Sequence, residues 1–134
     1  MILPAGFKPV YRYKMKHGEP TDRKEFKSAL WRERGVVYAR VYRKQVVYVG
    51  KTDGTLRGRI LRHVNGISNS TAGNAKEYRI WAEGKTITIL AYKPKHVRLS
   101  GIEIDCHRGL EAALIRRCKP TSEDGGQPWF VSRT

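Results

Sequence analysis

Residues 36–50, VVYARVYRKQVVYVG, predict a β-hairpin around which the rest of the chain is arranged. Residues 36–42 and 46–50 are rich in valine and tyrosine, and β-branched and aromatic residues favour strands. The three residues between the two strands would form the loop, which places Tyr42 opposite Val46. The hairpin therefore carries three tyrosines on two short strands, and their purpose has to be explained.

Alternation along the two strands separates their side chains into an apolar face and an aromatic face. The apolar face would hold Val37, Ala39, Val41, Val47 and Val49, and the aromatic face Tyr38, Arg40, Tyr42 and Tyr48. In this register Tyr38 and Tyr48 are diagonal neighbours, and Gly50 opposite Tyr38 leaves room for a ligand. The alternative is an aromatic cluster beneath a helix, which is the commoner reason for tyrosines in strands.

The other apolar patterns predict one more strand and several helices. The strand is expected over residues 85–92, and helices over residues 21–35, 55–64, 76–83 and about 105–118. The first 20 residues fit either an edge strand or a basic arm.

The charge of the chain indicates a polyanionic partner. Lys and Arg total 27 against 12 Asp and Glu, a net charge of +15 in 134 residues, and nucleic acid is the usual partner of such a surface. No apolar run is long enough to cross a membrane, and the first residues lack the pattern of a signal peptide. We therefore expect a cytoplasmic protein with no membrane partner.

Three polar residues stand out against apolar helical patterns. Arg59 and His63 are four residues apart and share one face of the predicted helix. Glu111 is the only acid in the apolar segment 109–115, so it requires either a partner or a cation. The alternatives are a solvated arginine, a structural histidine, and an acid favoured by the positive end of the helix.

Four segments occur in an order that resembles the GIY-YIG nuclease family. They are Val36-Val37-Tyr38, Tyr48-Val49-Gly50, Leu56-Arg57-Gly58-Arg59-Ile60 with His63, and EAALIRRCKP at residues 111–120. The resemblance covers about residues 35–123. It implies an α/β domain of the α+β type, with a small three-stranded antiparallel sheet flanked by helices. In this interpretation, residues 1–34 are a basic N-terminal extension of arm and helix, residues 35–134 are the nuclease domain, and residues 65–83 are an insertion.

The resemblance implies a metal-dependent DNA endonuclease that hydrolyses phosphodiester bonds. It assigns catalytic roles to Tyr38, Tyr48, Arg59, His63 and Glu111, with Glu111 binding Mg²⁺ or Mn²⁺. The phenols would then form a proton relay on a rigid hairpin. Double-stranded DNA is the expected substrate, and the expected DNA contacts are Arg40, Lys51, Arg57, Arg62 and Gln127.

The family implies a stand-alone enzyme of the restriction or phage type. Cutting both strands with one active site per chain requires either a homodimer or two successive nicks. The sequence also departs from the family pattern, because Val36 stands where a glycine is usual and Glu123 where an asparagine is usual. In this interpretation, the amide of Gln127 would substitute for that asparagine.

Two other functions account for part of the sequence. One is a non-catalytic nucleic-acid-binding module on the same fold, which the charge and the missing asparagine favour. The other is a basic structural protein of a ribonucleoprotein particle, for which the charge suffices but Glu111 and the paired tyrosines have no explanation.

Overall fold

The computed structural model describes residues 3–71, 75–95, 97–104 and 106–118. It has the α+β class expected from the sequence. The strands are β1 (Lys8–Lys16), β2 (Glu19–Glu25), β3 (Val36–Tyr42), β4 (Gln45–Thr52), β5 (Thr86–Tyr92), β6 (Val97–Leu99) and β7 (Ile102–Ile104). The α-helices are α1 (Leu56–Asn65), α2 (Ala75–Ala82) and α3 (Cys106–Cys118), and a 3-10 helix covers Ala29–Arg32.

The main sheet has five antiparallel strands in the order β2-β1-β5-β3-β4, so the expected number of three is wrong. The three predicted strands are β3, β4 and β5. β1 and β2 extend the sheet on the β5 side, and β1 is an internal strand rather than an edge strand or an arm. β1 buries Val10, Tyr13 and Met15 completely, as expected for a strand that packs into the core.

The helix expected over residues 21–35 is also wrong, because this segment contains most of β2 and the short 3-10 helix. Ser28 caps the 3-10 helix, with its hydroxyl accepting a hydrogen bond from the Leu30 amide. The indole of Trp31 donates to the carbonyl of Phe26 at 2.7 Å. The helical spacing of these apolar residues is therefore satisfied by a single turn that packs Trp31 into the core.

A two-residue turn joins β3 to β4, where a three-residue loop was expected. Arg43 and Lys44 have φ angles of 47° and 67°, and a type I′ hairpin turn requires positive φ at both positions. Tyr42 consequently pairs with Gln45 instead of Val46. Neither turn residue is the asparagine or glycine that normally signals this turn, so the turn could not be predicted from its residues.

A register shift after Arg40 compensates for the shorter turn. It restores two predicted pairs, Arg40 with Tyr48 and Tyr38 with Gly50. Val47 changes face as a result, and it lies in the core that contains Tyr38 rather than on the expected apolar face. The part of the hairpin nearest the candidate site thus has the predicted pairing, whereas the part nearest the turn does not.

Helices cover both faces of the main sheet. The apolar face packs on α3, as expected, through Val37, Ala39, Val46, Val49, Leu114 and Ile115. The aromatic face is covered as well and forms the larger core with Leu56, Ile60 and Val64 of α1 and Tyr78 and Ala82 of α2. The predicted insertion at 65–83 therefore contributes α2 to the core.

The boundaries of α1 agree with the sequence signals. The Thr55 hydroxyl accepts a hydrogen bond from the Gly58 amide at the start of the helix, and Gly66 follows its last residue. This cap fixes where the first turn begins.

No helix in the described ranges is long and apolar enough to span a membrane.

Candidate active site

The hairpin brings the two phenols of the predicted motifs together. The rings of Tyr38 and Tyr48 stack with 6.1 Å between their centroids and 12° between their planes. A Cβ atom on Gly50 would lie 2.7 Å from the Tyr38 hydroxyl oxygen. The space opposite Gly50 that was expected to admit a ligand is therefore filled by the Tyr38 ring itself.

Helix α1 presents both of its predicted polar residues to Tyr38. The Nε–H of Arg59 donates to the Tyr38 hydroxyl oxygen at 3.2 Å. Nδ1 of His63, one turn later on the same face, lies 3.4 Å from that oxygen. The imidazole also packs edge-on against the Tyr48 ring, with 5.2 Å between the centroids.

A cleft of about 350 Å³ opens beside these side chains. Its lining comprises Tyr48, Gly50, Lys51, Thr52, Asp53, Gly54, Arg59, Arg62 and Glu111. Of the five predicted catalytic residues, Tyr48, Arg59 and Glu111 thus line one cleft. Tyr38 and His63 do not line it, but both contact residues that do.

Glu111 reaches the cleft from α3. It is buried, with 6% of its surface exposed, and it lies beyond the first turn of a helix that begins at Cys106. The stabilising effect of a helix N-terminus on an acid is confined to the first turn. This position removes the explanation that Glu111 only complements the helix dipole.

The predicted DNA contacts have different positions. Lys51 and Arg62 line the cleft, where the Lys51 ammonium is 3.1 Å from the Asp53 carboxylate. Arg57 is exposed on α1 and pairs with Glu25 at 2.9 Å, outside the cleft. The fifth predicted contact, at position 127, lies outside the described residues, as does position 123.

Arg40 has to be removed from the predicted DNA contacts. Its side chain is buried, with 8% of the residue exposed, and its guanidinium lies over the rings of Tyr48 and Tyr78 at 4.5 and 4.8 Å from their centroids. It also hydrogen-bonds Nε2 of His63. A residue enclosed in this way does not reach a phosphate on the surface.

Sequence reasoning missed the residues that enclose Arg40. Tyr13 and Tyr78 come from β1 and α2, and their hydroxyl oxygens are 2.6 Å apart in the core. Only the alternation of β1, which buries Tyr13, was available as a signal, because the contact joins residues 65 positions apart.

Burial and charge act in opposite directions on the phenol of Tyr38. Burial, followed by the neighbouring Tyr48, raises its pKa, while Arg59 and Arg40 lower it, and the net effect is a raised pKa. The pKa of Arg59 is raised as well, chiefly by its interaction with Tyr38. Arg59 is therefore a permanent cation, and Tyr38 is protonated at neutral pH in the free protein.

The cleft offers one buried carboxylate to a metal ion. Among the described residues there is no group of three His, Cys, Asp or Glu side chains that could hold one. Asp53 also lines the cleft, but Lys51 is its neighbour. A single carboxylate suits Mg²⁺, which keeps several of its waters and takes its other ligands from substrate phosphates.

Comparisons with known proteins give a likeness in structure only. No protein-family model and no curated protein sequence matches the chain. A mutant of bacteriophage T4 EndoII superposes with a TM-score of 0.56 and 18% identity, covering 83% of this chain and 86% of that chain. Restriction endonuclease HPY188I in complex with product DNA gives a TM-score of 0.47 and 12% identity, covering 83% of this chain and 75% of that chain. The first of these likenesses shows that this chain has the fold of bacteriophage T4 EndoII.

Proposed function

We propose that the protein is a metal-dependent DNA endonuclease of the GIY-YIG type. The observation that carries this proposal is the arrangement of Tyr48, Arg59 and Glu111 around one cleft, with Tyr38 in contact with two of them. Two further findings support it. The fold is that of EndoII, a GIY-YIG nuclease, and the net charge of +15 suits a polyanionic substrate.

Four residues of the cleft have proposed roles in phosphodiester hydrolysis. Arg59 stabilises the negative charge that develops on the phosphoryl group, since it is charged and points into the cleft. Lys51 and Arg62 hold the flanking phosphates. Glu111 holds the divalent cation, Mg²⁺ or Mn²⁺, which when bound supplies positive charge to the scissile phosphate and the leaving oxygen.

Tyr38 is the proposed general base, and its surroundings both hinder and help this role. Burial raises the pKa of Tyr38 and so opposes formation of the phenolate. The hydrogen bond from Arg59 favours the phenolate. A divalent cation bound at Glu111 would add positive charge to the cleft, which would favour the phenolate further.

A non-catalytic nucleic-acid-binding module is the second candidate. The observation that favours it is the single buried carboxylate, because many hydrolytic metal sites have more than one acidic ligand. Such a module would bind DNA through the same cations and leave the phosphodiester bonds intact.

Plasmid cleavage separates the two candidates. Supercoiled DNA incubated with the protein should become nicked or linear with Mg²⁺ and remain intact with EDTA. Glu111→Ala and Arg59→Ala should abolish cleavage, and DNA binding should persist in a gel-shift assay. Glu19→Gln, at an exposed position of β2, is the matched control and should retain full activity.

Several results would contradict the endonuclease. Equal cleavage by the two variants would assign the activity to a contaminant or another site. DNA binding without cleavage under any divalent cation would favour the binding module. Sequencing the ends of the products would then show whether both strands are cut, and a cut in both would call for a homodimer or two successive nicks.

A further inference from the structure

The environment of Arg40 defines the protonation of its neighbour His63. Arg40 lies between the rings of Tyr48 and Tyr78, and one of its terminal nitrogens hydrogen-bonds Nε2 of His63. A guanidinium has five N–H donors and no acceptor. Nε2 of His63 must therefore be the acceptor in this bond and carry no proton.

The remaining ring nitrogen then has to carry the proton of the neutral imidazole. Nδ1 lies 3.4 Å from the Tyr38 hydroxyl oxygen, so its N–H points at the phenol as a donor. The Nε–H of Arg59 donates to the same oxygen at 3.2 Å. Two donors thus converge on the atom that would act as the base.

We infer that Arg40 is a positioning residue, which holds His63 as the neutral Nδ1–H tautomer and makes it a hydrogen-bond donor to Tyr38. The catalytic meaning of this arrangement rests on the proposed endonuclease function. In this tautomer His63 stabilises the Tyr38 phenolate but does not accept the Tyr38 proton. His63 is thereby excluded as the group that removes it.

The surroundings of Arg40 explain why it keeps its charge and its place. Burial lowers the pKa of Arg40, but Tyr13 and Tyr78 more than offset this effect, and the net pKa is raised. Both flanking rings present their faces to the guanidinium, an arrangement that attracts a cation.

Nuclear magnetic resonance tests the tautomer without using activity. Long-range ¹⁵N–¹H correlation spectra of the labelled full chain distinguish the two neutral tautomers and the imidazolium. His63→Leu identifies the His63 signals among those of the four histidines. At neutral pH the wild-type spectrum should show a protonated Nδ1 and an unprotonated Nε2, and a spectrum showing protonated Nε2 would overturn the inference.

Two substitutions test the part played by Arg40. Arg40→Met keeps an unbranched stem and removes every donor, so a population with protonated Nε2 should appear. Arg40→Lys retains a charged donor and should keep more of the Nδ1–H form. Circular dichroism and thermal melting establish that each variant is folded, and an unchanged tautomer in folded Arg40→Met would overturn the inference.

Cleavage assays then address the role of His63 as a donor. Asn places an N–H donor near the position of Nδ1 and cannot act as a base, so His63→Asn should cleave at least about tenfold faster than His63→Leu, within the range of acid–base effects. Equal loss in both variants would contradict the donor role. If the tautomer is as expected but no cleavage occurs, the endonuclease proposal fails while the assignment of His63 stands.

Discussion

Gly50 is the residue on which the position of Tyr38 depends. It lacks positive φ, so it is not required for a special backbone conformation; its importance is the absence of a side chain beneath the phenol. A Cβ atom there would be 2.7 Å from both the ring carbon Cζ and the hydroxyl oxygen of Tyr38. The ring has little freedom to move, because it stacks on Tyr48 and is hydrogen-bonded by Arg59.

We therefore expect Gly50→Ala to displace Tyr38 from Arg59. Overpacking of this kind should cost about 1–3 kcal/mol of unfolding free energy, and plasmid cleavage should fall strongly while DNA binding is retained. Thermal melting and the nicking assay measure the two effects. A variant with wild-type stability and activity would show that the phenol does not need its present position.

The matched control is Gly109→Ala in α3. An added Cβ at Gly109 meets no atom within 4 Å, and alanine in a helix interior is favoured over glycine by roughly 0.5–1 kcal/mol. This substitution should raise the melting temperature slightly without changing cleavage. Both substitutions add one methyl group. Opposite effects on stability and cleavage would therefore show that the losses in Gly50→Ala come from the contact with Tyr38.

The residues of the candidate site were largely predictable, but their partners were not. The spacing of Arg59 and His63 and the isolation of Glu111 are local features of the sequence, so they identified candidate residues directly. Arg40 was wrongly predicted to contact DNA, because the sequence shows its charge but not its burial. That burial depends on Tyr78, which is brought to Arg40 by α2 packing on the sheet.

The carboxylate of Glu83 connects the end of α2 to the turn between β1 and β2. It accepts hydrogen bonds from the backbone amides of His17 and Gly18 at 2.7 and 3.0 Å. Both residues have positive φ, so the turn adopts a conformation that benefits from being held. These hydrogen bonds lower the pKa of Glu83 below its usual value of 4.5.

The lowered pKa predicts how stability changes with pH. Because the folded state favours the charged carboxylate, Glu83 contributes stability above the pKa it has in the unfolded chain, and loses it as the pH falls through the folded pKa. Glu83→Gln should therefore melt at a lower temperature than wild type at pH 7. The difference should shrink as the pH is lowered beneath 4.5.

Melting curves of both proteins over this pH range provide the measurement. Subtracting the variant from the wild type cancels the titration of the other carboxylates. Glu19→Gln, at the start of β2, controls for the loss of one negative charge near the same turn. A difference for Glu83→Gln that stays constant with pH would contradict the assignment of the stability to its charge.

The elements themselves were predictable where their signals were strong. The caps and apolar spacing of α1 predicted its position to within a few residues. The alternation of residues in β5 predicted the position of that strand equally well. The turn between β3 and β4 was missed because Arg43 and Lys44 adopt positive φ without the usual residues. The helix expected after residue 20 was wrong because tertiary packing extended the sheet with β2 instead.

The order of strands in the main sheet could not be predicted from local sequence patterns. β1 pairs with β5, which begins 70 positions after Lys16, and no spacing rule indicates such a contact. The antiparallel pairing also places two groups of residues at opposite ends of the sheet. The cleft lies at the end where β4 finishes at Thr52. Lys16, the last residue of β1, lies at the other end, near the start of β5.

This separation allows the net charge of +15 to be tested at chosen positions. A protein that neutralises phosphates with its cations releases counterions, so the affinity for duplex DNA should fall with salt by a log-log slope of roughly 0.9 for each phosphate contacted. Lys51 and Arg62 line the cleft, and Lys16 lies at the opposite end of the sheet. The three cations should therefore contribute differently to the slope.

Lys51→Ala and Arg62→Ala should each reduce the magnitude of the slope by roughly 0.9, since each removes one phosphate contact. Lys16→Ala should leave the slope unchanged, although it lowers the net charge by the same amount. Fluorescence anisotropy with a short duplex over a series of KCl concentrations gives the three slopes. Equal reductions in all three variants would mean that DNA affinity depends on total charge and not on the position of the cations. Such a result would contradict the proposal that the cleft binds the scissile phosphate.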